Sequence, residues 1–138
     1  MTTLLVPLDN DPARAENQAA FVESLPGRPD EVTVVLTHVL VDDERDAPAE
    51  LQHPDRAETV RDVRGSLADA GYDVEIAEAA SPPSEGILDL ADDLDVDMVV
   101  MGTRKRTPAG KAIFGSVTQS VVLDASVPVV VTGGDETT

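Results

Sequence analysis

Apolar residues fall along this chain in five short runs, and the stretches between the runs carry apolar positions at helical spacing. Thr3–Leu8 is a run that enters Pro7-Leu8-Asp9-Asn10-Asp11, as a buried strand enters a turn. Asp11-Pro12 then reads as an N-cap with proline at the first helical position, and Ala15, Ala19 and Val22 form a helical stripe ending before Pro26-Gly27. Glu31–Leu40 holds Val32, Val34, Val35, Leu36 and Val39, a β-branched strand. Residues 41–53 are acidic and polar and read as a loop. From Pro54 to Ala70, Val60, Val63 and Leu67 recur at helical spacing, and Gly71 follows as the residue past the C-cap. Tyr72–Ala77 alternates as a strand. Ser81-Pro82 opens a helix with Ile87, Ala91 and Leu94 on one face, and Val96–Met101 is a near-continuous apolar strand. Ser116–Ala125 is a helix in which Ser116 and Gln119 have the spacing of a capping box, and Val127–Val131 is the last strand.

Strands this apolar, alternating with amphipathic helices, predict an α/β domain: a parallel sheet covered on both faces, a three-layer α/β/α arrangement. One domain over residues 1–138 accommodates the pattern. Phe21, Tyr72 and Phe114 are the sole aromatic residues, so the core falls to Val, Leu, Ile and Ala. The absence of cysteine excludes a disulfide framework and a thiolate metal site. The first residues lack the basic and apolar regions of a signal peptide, and no apolar run approaches the roughly 20 residues of a membrane helix. The expectation is a soluble, cytoplasmic protein.

Charge changes the picture. The formal net charge is −17, which argues against nucleic acid and anionic membranes as partners. Abundant Asp with almost no Lys suits a cytoplasm of very high salt, and a haloarchaeal source is the expectation. Yet from Met98 to Leu123 there is no Asp or Glu, and Arg104, Lys105, Arg106 and Lys111 all lie there, four of ten cations. Gly102, Gly110, Gly115, Ser116 and Thr118 accompany them. Exposed backbone N–H groups, hydroxyls and fixed cations are what a phosphate needs, and the helix opening at Gly115-Ser116 adds partial positive charge. The segment is not a Walker A loop. Counting back from Gly110-Lys111, the first glycine would fall at 105, which is Lys, and the hydroxyl residue at 112, which is Ala.

Met101-Gly102-Thr103, Gly115-Ser116-Val117-Thr118 and Val127-Pro128-Val129-Val130-Val131 together resemble the universal stress protein family (the UspA-like domain). Leu5-Val6-Pro7-Leu8-Asp9 resembles its first strand, Thr37-His38-Val39 the end of its second, and Asp97–Gly102 its fourth. The resemblance implies a five-stranded parallel sheet in order 3-2-1-4-5, a homodimer, and often bound ATP, with or without Mg2+. It also implies a nucleotide site: residues matching Pro7, Asp9, Val39 and Met101 on the base and ribose side, and Gly102, Gly115, Ser116, Val117 and Thr118 on the phosphates. Nucleotide-binding members carry Gly-x2-Gly-x9-Gly-Ser/Thr. This chain has Gly102, Gly115 and Ser116 at that spacing but Lys105 at the second glycine. Two readings stay open. Arg104 and Lys105 supply charge-assisted contacts in place of the glycine, or the Lys105 side chain fills the triphosphate path and the protein works as a non-nucleotide-binding interaction protein for an unidentified protein partner.

Blander readings stand beside these. Asp9 suits an Asx turn and Asp11 an N-cap. Asp92, Asp93, Asp95 and Asp97 read as a solvated helix end rather than a metal cluster, and His38 and His53 as structural residues. Val127–Val131 at a sheet edge calls for cover, supplied either by pairing with a second copy or by Pro128 or the tail blunting the edge. No nucleophile with an adjacent base is recognisable, so no catalytic residue is assigned and a slow ATPase is the upper bound on enzymatic activity.

Overall fold

The computed structural model describes residues 2–9, 11–39, 58–80, 82–102 and 116–132. Within them the chain runs β1 (Thr2–Leu8), α1 (Pro12–Ser24), a 3-10 turn (Pro29–Glu31), β2 (Val32–His38), α2 (Glu58–Asp69), β3 (Asp73–Ile76), α3 (Pro83–Asp93), β4 (Met98–Gly102), α4 (Ser116–Asp124) and β5 (Val129–Thr132). All five strands are parallel, in the expected order β3-β2-β1-β4-β5.

Alternation along each strand divides the apolar residues between two layers. Leu4, Val6, Leu8, Val34, Leu36 and Val100 pack on Ala15, Ala19, Val22, Val60, Val63 and Leu67 of α1 and α2. On the other face Leu5, Val35, Val99 and Met101 meet Ile87, Ala91 and Val121 of α3 and α4. The central strands are buried on both sides, which is why their sequences read as unbroken apolar runs.

The ends of the elements follow local chemistry. Asp11 caps α1, its Oδ1 accepting from the N–H groups of Ala13 at 2.9 Å and Arg14 at 3.3 Å, with Pro12 next as expected. Gly71 takes φ +102° past the end of α2, where Tyr72 N–H donates to Leu67 O and Gly71 N–H to Ala68 O, the paired bonds of a Schellman motif.

One expectation is corrected. Leu94 does not lie on the buried face of α3: the helix ends at Asp93, and Leu94 is the 39% exposed C-cap. The described part of α4 begins at Ser116, and the residues before it, which would show the cap, lie outside the described residues. The acidic loop 41–53 also lies outside them. Asp92 and Asp97 serve as acceptors between elements, Asp97 Oδ2 taking Thr3 N–H at 2.8 Å and Asp92 Oδ1 the Ser126 hydroxyl at 3.3 Å. His38 is buried at the end of β2; His53 is outside the described residues.

Candidate functional site

In an open α/β sheet the chain leaves its strands in opposite directions where the strand order reverses, and the crevice beyond that point is where ligands bind. Here the reversal lies between β1 and β4. The β1–β2 ladder is continuous from Thr2↔Val32 to Leu8↔His38, but β1 pairs with β4 only at Leu4↔Met98 and Leu5↔Val99. Beyond Leu5 and Val99 the two strands continue without pairing.

The predicted base-side residues come together at this end of the sheet. Pro7 is buried in β1, one residue before the strand ends, and Asp9 follows the strand. Val39 directly follows β2, tied to β1 by its N–H on Leu8 O at 2.8 Å. Met101 is buried under α4 and its carbonyl accepts from the Thr132 hydroxyl at 3.1 Å. On the phosphate side, Gly102 ends β4, while Ser116, Val117 and Thr118 form the first turn of α4. Thr118 Oγ1 donates to Gly102 O at 3.3 Å, which pins the helix N-terminus to the strand end. Arg104, Lys105 and Gly115 lie outside the described residues.

Asp9 is already engaged. Its Oδ1 accepts Asp11 N–H at 2.9 Å, an Asx turn, and its Oδ2 takes both Arg14 Nε and Arg14 Nη2 at 2.8 Å. The pair is largely shielded, at 13% and 19% side-chain exposure, and Arg14 Nη1 also reaches Asp11 at 3.5 Å. Three of the carboxylate's four lone-pair directions are thus used. A guanidinium on Oδ2 repels a second cation, so Asp9 as it stands does not fit a magnesium ion. Among the described residues no group of three His, Asp or Glu side chains could hold a metal.

Three contributors were not evident in the sequence. Gln18, 2% exposed on α1, donates from Nε2 to Pro7 O at 2.7 Å and to Val100 O at 3.0 Å, bridging β1 to β4 where their ladder has stopped. Arg14 is the cation that occupies Asp9. Thr59 of α2 donates its hydroxyl to Asp9 O at 2.5 Å and holds the turn from below. A signal for Gln18 existed: it stands three residues after Ala15, on the apolar face of α1. Gly102 acquires a second reason for being glycine. A Cβ there would lie 3.2 Å from Gln18 Oε1 and 3.5 Å from Arg14 Cβ.

A doubly wound parallel sheet whose order reverses at β1/β4, with a helix N-terminus beside the reversal, defines an open α/β fold. More narrowly, the chain belongs to the universal stress protein family, whose model matches residues 1–133. It is 36% identical over 75 residues to a universal stress protein of Mycolicibacterium smegmatis, covering 54% of this chain and 58% of that one. It is 31% identical over 72 residues to a universal stress protein of Methanocaldococcus jannaschii, covering 52% of this chain and 44% of that one. The matched segment thus spans about half the length of these two relatives. Among solved structures, the universal stress protein of Archaeoglobus fulgidus in complex with dAMP superposes with a TM-score of 0.69 at 25% identity, covering 96% of this chain and 98% of that one. Among the described residues no helix is long and apolar enough to cross a membrane.

Proposed function

We propose that this chain is a nucleotide-binding module of the stress response. An adenine nucleotide lies in the β1/β4 crevice, its base and ribose against Pro7, Asp9, Val39 and Met101. Its phosphate lies toward Gly102, Gly115, Ser116, Val117 and Thr118, with Arg104 and Lys105 as counter-charges. The observation that carries this reading is the early end of β1–β4 pairing at Leu5↔Val99, beside the N-terminus of α4. The dAMP complex of the A. fulgidus relative supports the ligand class. Commitment of Asp9 to Arg14 favours a nucleotide neutralised by the protein's own cations over ATP held with Mg2+.

The test is mass spectrometry of ligand released from protein purified in molar KCl, followed by calorimetric titration of AMP and ATP into wild type and Lys105→Gly. Released nucleotide, or micromolar binding by wild type, is the expected result. No release and no binding by wild type, with binding gained in Lys105→Gly, would favour the second reading. In it Lys105 has closed an inherited site, and the protein acts through its surface on a protein partner.

The same reading makes the protein a homodimer joined along Val127–Val131. Val129, Val130 and Val131 are only half-buried, and the neighbouring Val122 and Leu123 are exposed, Leu123 at 74%. Sedimentation of wild type against Val130→Lys checks it, with a shift to monomer expected in the variant. A salt-rich cytoplasm suits the charge of −17, since screening relieves self-repulsion.

A further inference from the structure

We propose that Gln18 is the positioning residue of the crevice: its carboxamide replaces a ladder donor that Pro7 lacks and holds the ends of β1 and β4 at a fixed separation. This deepens the nucleotide reading and rests on it for the ligand, while the strand geometry stands by itself.

In a parallel ladder a residue's N–H and C=O point to the same neighbour, and the next residue points to the opposite one. Val99 N–H donates to Pro128 O at 3.0 Å, so Val99 faces β5 while Met98 and Val100 face β1. Leu8 O accepts from Val39, so Leu8 faces β2 and Pro7 faces β4. In the register of Leu5↔Val99 the next rung would run from the N–H of residue 7 to Val100 O. Residue 7 is proline and has no N–H. Pairing stops there, and two carbonyls, Pro7 O and Val100 O, face each other across a gap inside the protein.

Buried carbonyls need donors. Gln18 Nε2 carries two hydrogens, and it meets Pro7 O at 2.7 Å and Val100 O at 3.0 Å. Two acceptors on one nitrogen also settle which end of the amide is which. The other end, Oε1, faces Gly102, the one residue type without a Cβ to push it away. Pro7, Gln18 and Gly102 therefore work as a unit: proline ends the ladder, glutamine spans the gap, glycine admits the glutamine. The unit sets the distance between Pro7 on the base side and Gly102 on the phosphate side.

The experiment measures amide hydrogen exchange in the ligand-free protein and AMP affinity by calorimetry, for wild type, Gln18→Leu, Gln18→Asn and the Gln18→Leu/Pro7→Val double variant. Leu keeps the bulk and removes the donors; Asn keeps the amide one methylene short and covers the case in which Gln18→Leu does not fold. Exchange at the end of β4 that faces β1, read at Val100 and Gly102, is expected to rise at least tenfold in both single variants, with β3 unchanged. AMP affinity is expected to fall about tenfold. Pro7→Val restores a backbone N–H for Val100 O, so the double variant is expected to recover protection at those amides. Unchanged exchange, a rise spread evenly over all strands, or a local rise with unchanged AMP affinity would each overturn the proposal. If wild type binds no AMP, the nucleotide reading fails, and the exchange pattern with its rescue by Pro7→Val decides for or against the spacer alone.

Discussion

Strand β1 has two edges, and they differ in kind. Along β2 it pairs through seven residues without a break; along β4 it pairs through two. The same proline stands in both. On the β2 side Pro7 is harmless, since its missing N–H points away from that ladder. On the β4 side it ends the pairing. A central strand normally excludes proline for this reason. Here the exclusion is lifted because a buried glutamine supplies the lost donor, and the gap that results lies where the sheet's connections reverse. The closed edge holds the fold together; the open edge holds the candidate site. Substitutions on the two edges should therefore separate stability from binding.

The largest effect belongs to the closed edge. Leu36 on β2 is fully buried against α1 and α2, and Leu36→Ala is expected to lose about 2–5 kcal/mol in urea unfolding. Nucleotide affinity should hold in the fraction that stays folded. A fall in affinity without a fall in stability would break the separation.

Gly102→Ala on the open edge is expected to cost about 1–3 kcal/mol, because the new methyl group would lie 3.2 Å from Gln18 Oε1 and displace that side chain. Its AMP affinity should fall at least tenfold, more than Leu36→Ala despite the smaller stability loss. Urea unfolding and calorimetry on the same samples give both numbers.

Asp11→Ala removes the α1 cap, whose two N–H contacts it would leave unmet, for a loss of about 1 kcal/mol in thermal unfolding. Because the Asp11 carboxylate also meets Arg14, the cation held on Asp9, the variant sharpens the comparison if AMP affinity drops with it.

The smallest change has the opposite sign. Thr37 on β2 is fully buried, and its Oγ1 has no hydrogen-bond partner among the described residues. Thr37→Val keeps the shape and is expected to gain about 0.5–1 kcal/mol in urea unfolding, since no hydrogen bond is lost. A loss would mean that the hydroxyl has a partner in the folded protein.

How far the sequence reveals all this depends on the scale of the interaction. Strands and helices are visible because their apolar periodicity is local, and Asp11-Pro12 and Gly71 act within a few residues of themselves. The strand order follows from the family resemblance carried by Gly102, Gly115, Ser116 and the β1 residues, not from periodicity. Leu94 misleads because it continues the apolar stripe of α3 one residue past the helix end. Gln18 and Arg14 stay hidden for a different reason. Arg14 meets Asp9 five residues away, through a turn that periodicity does not describe, and the partners of Gln18 come together only after β4 has been laid beside β1, 82 residues away in the case of Val100. A glutamine on the apolar face of a helix and a proline inside an apolar strand are each visible as oddities. That one answers the other is a tertiary fact.

The most direct test of the central claim is an AMP titration of isotope-labelled wild type followed by NMR in molar KCl. The account predicts saturable shifts confined to Leu8, Asp9, Val39, Met101, Gly102 and the first turn of α4, with the β2–β3 edge silent. Shifts centred elsewhere, or none up to millimolar AMP, would contradict it.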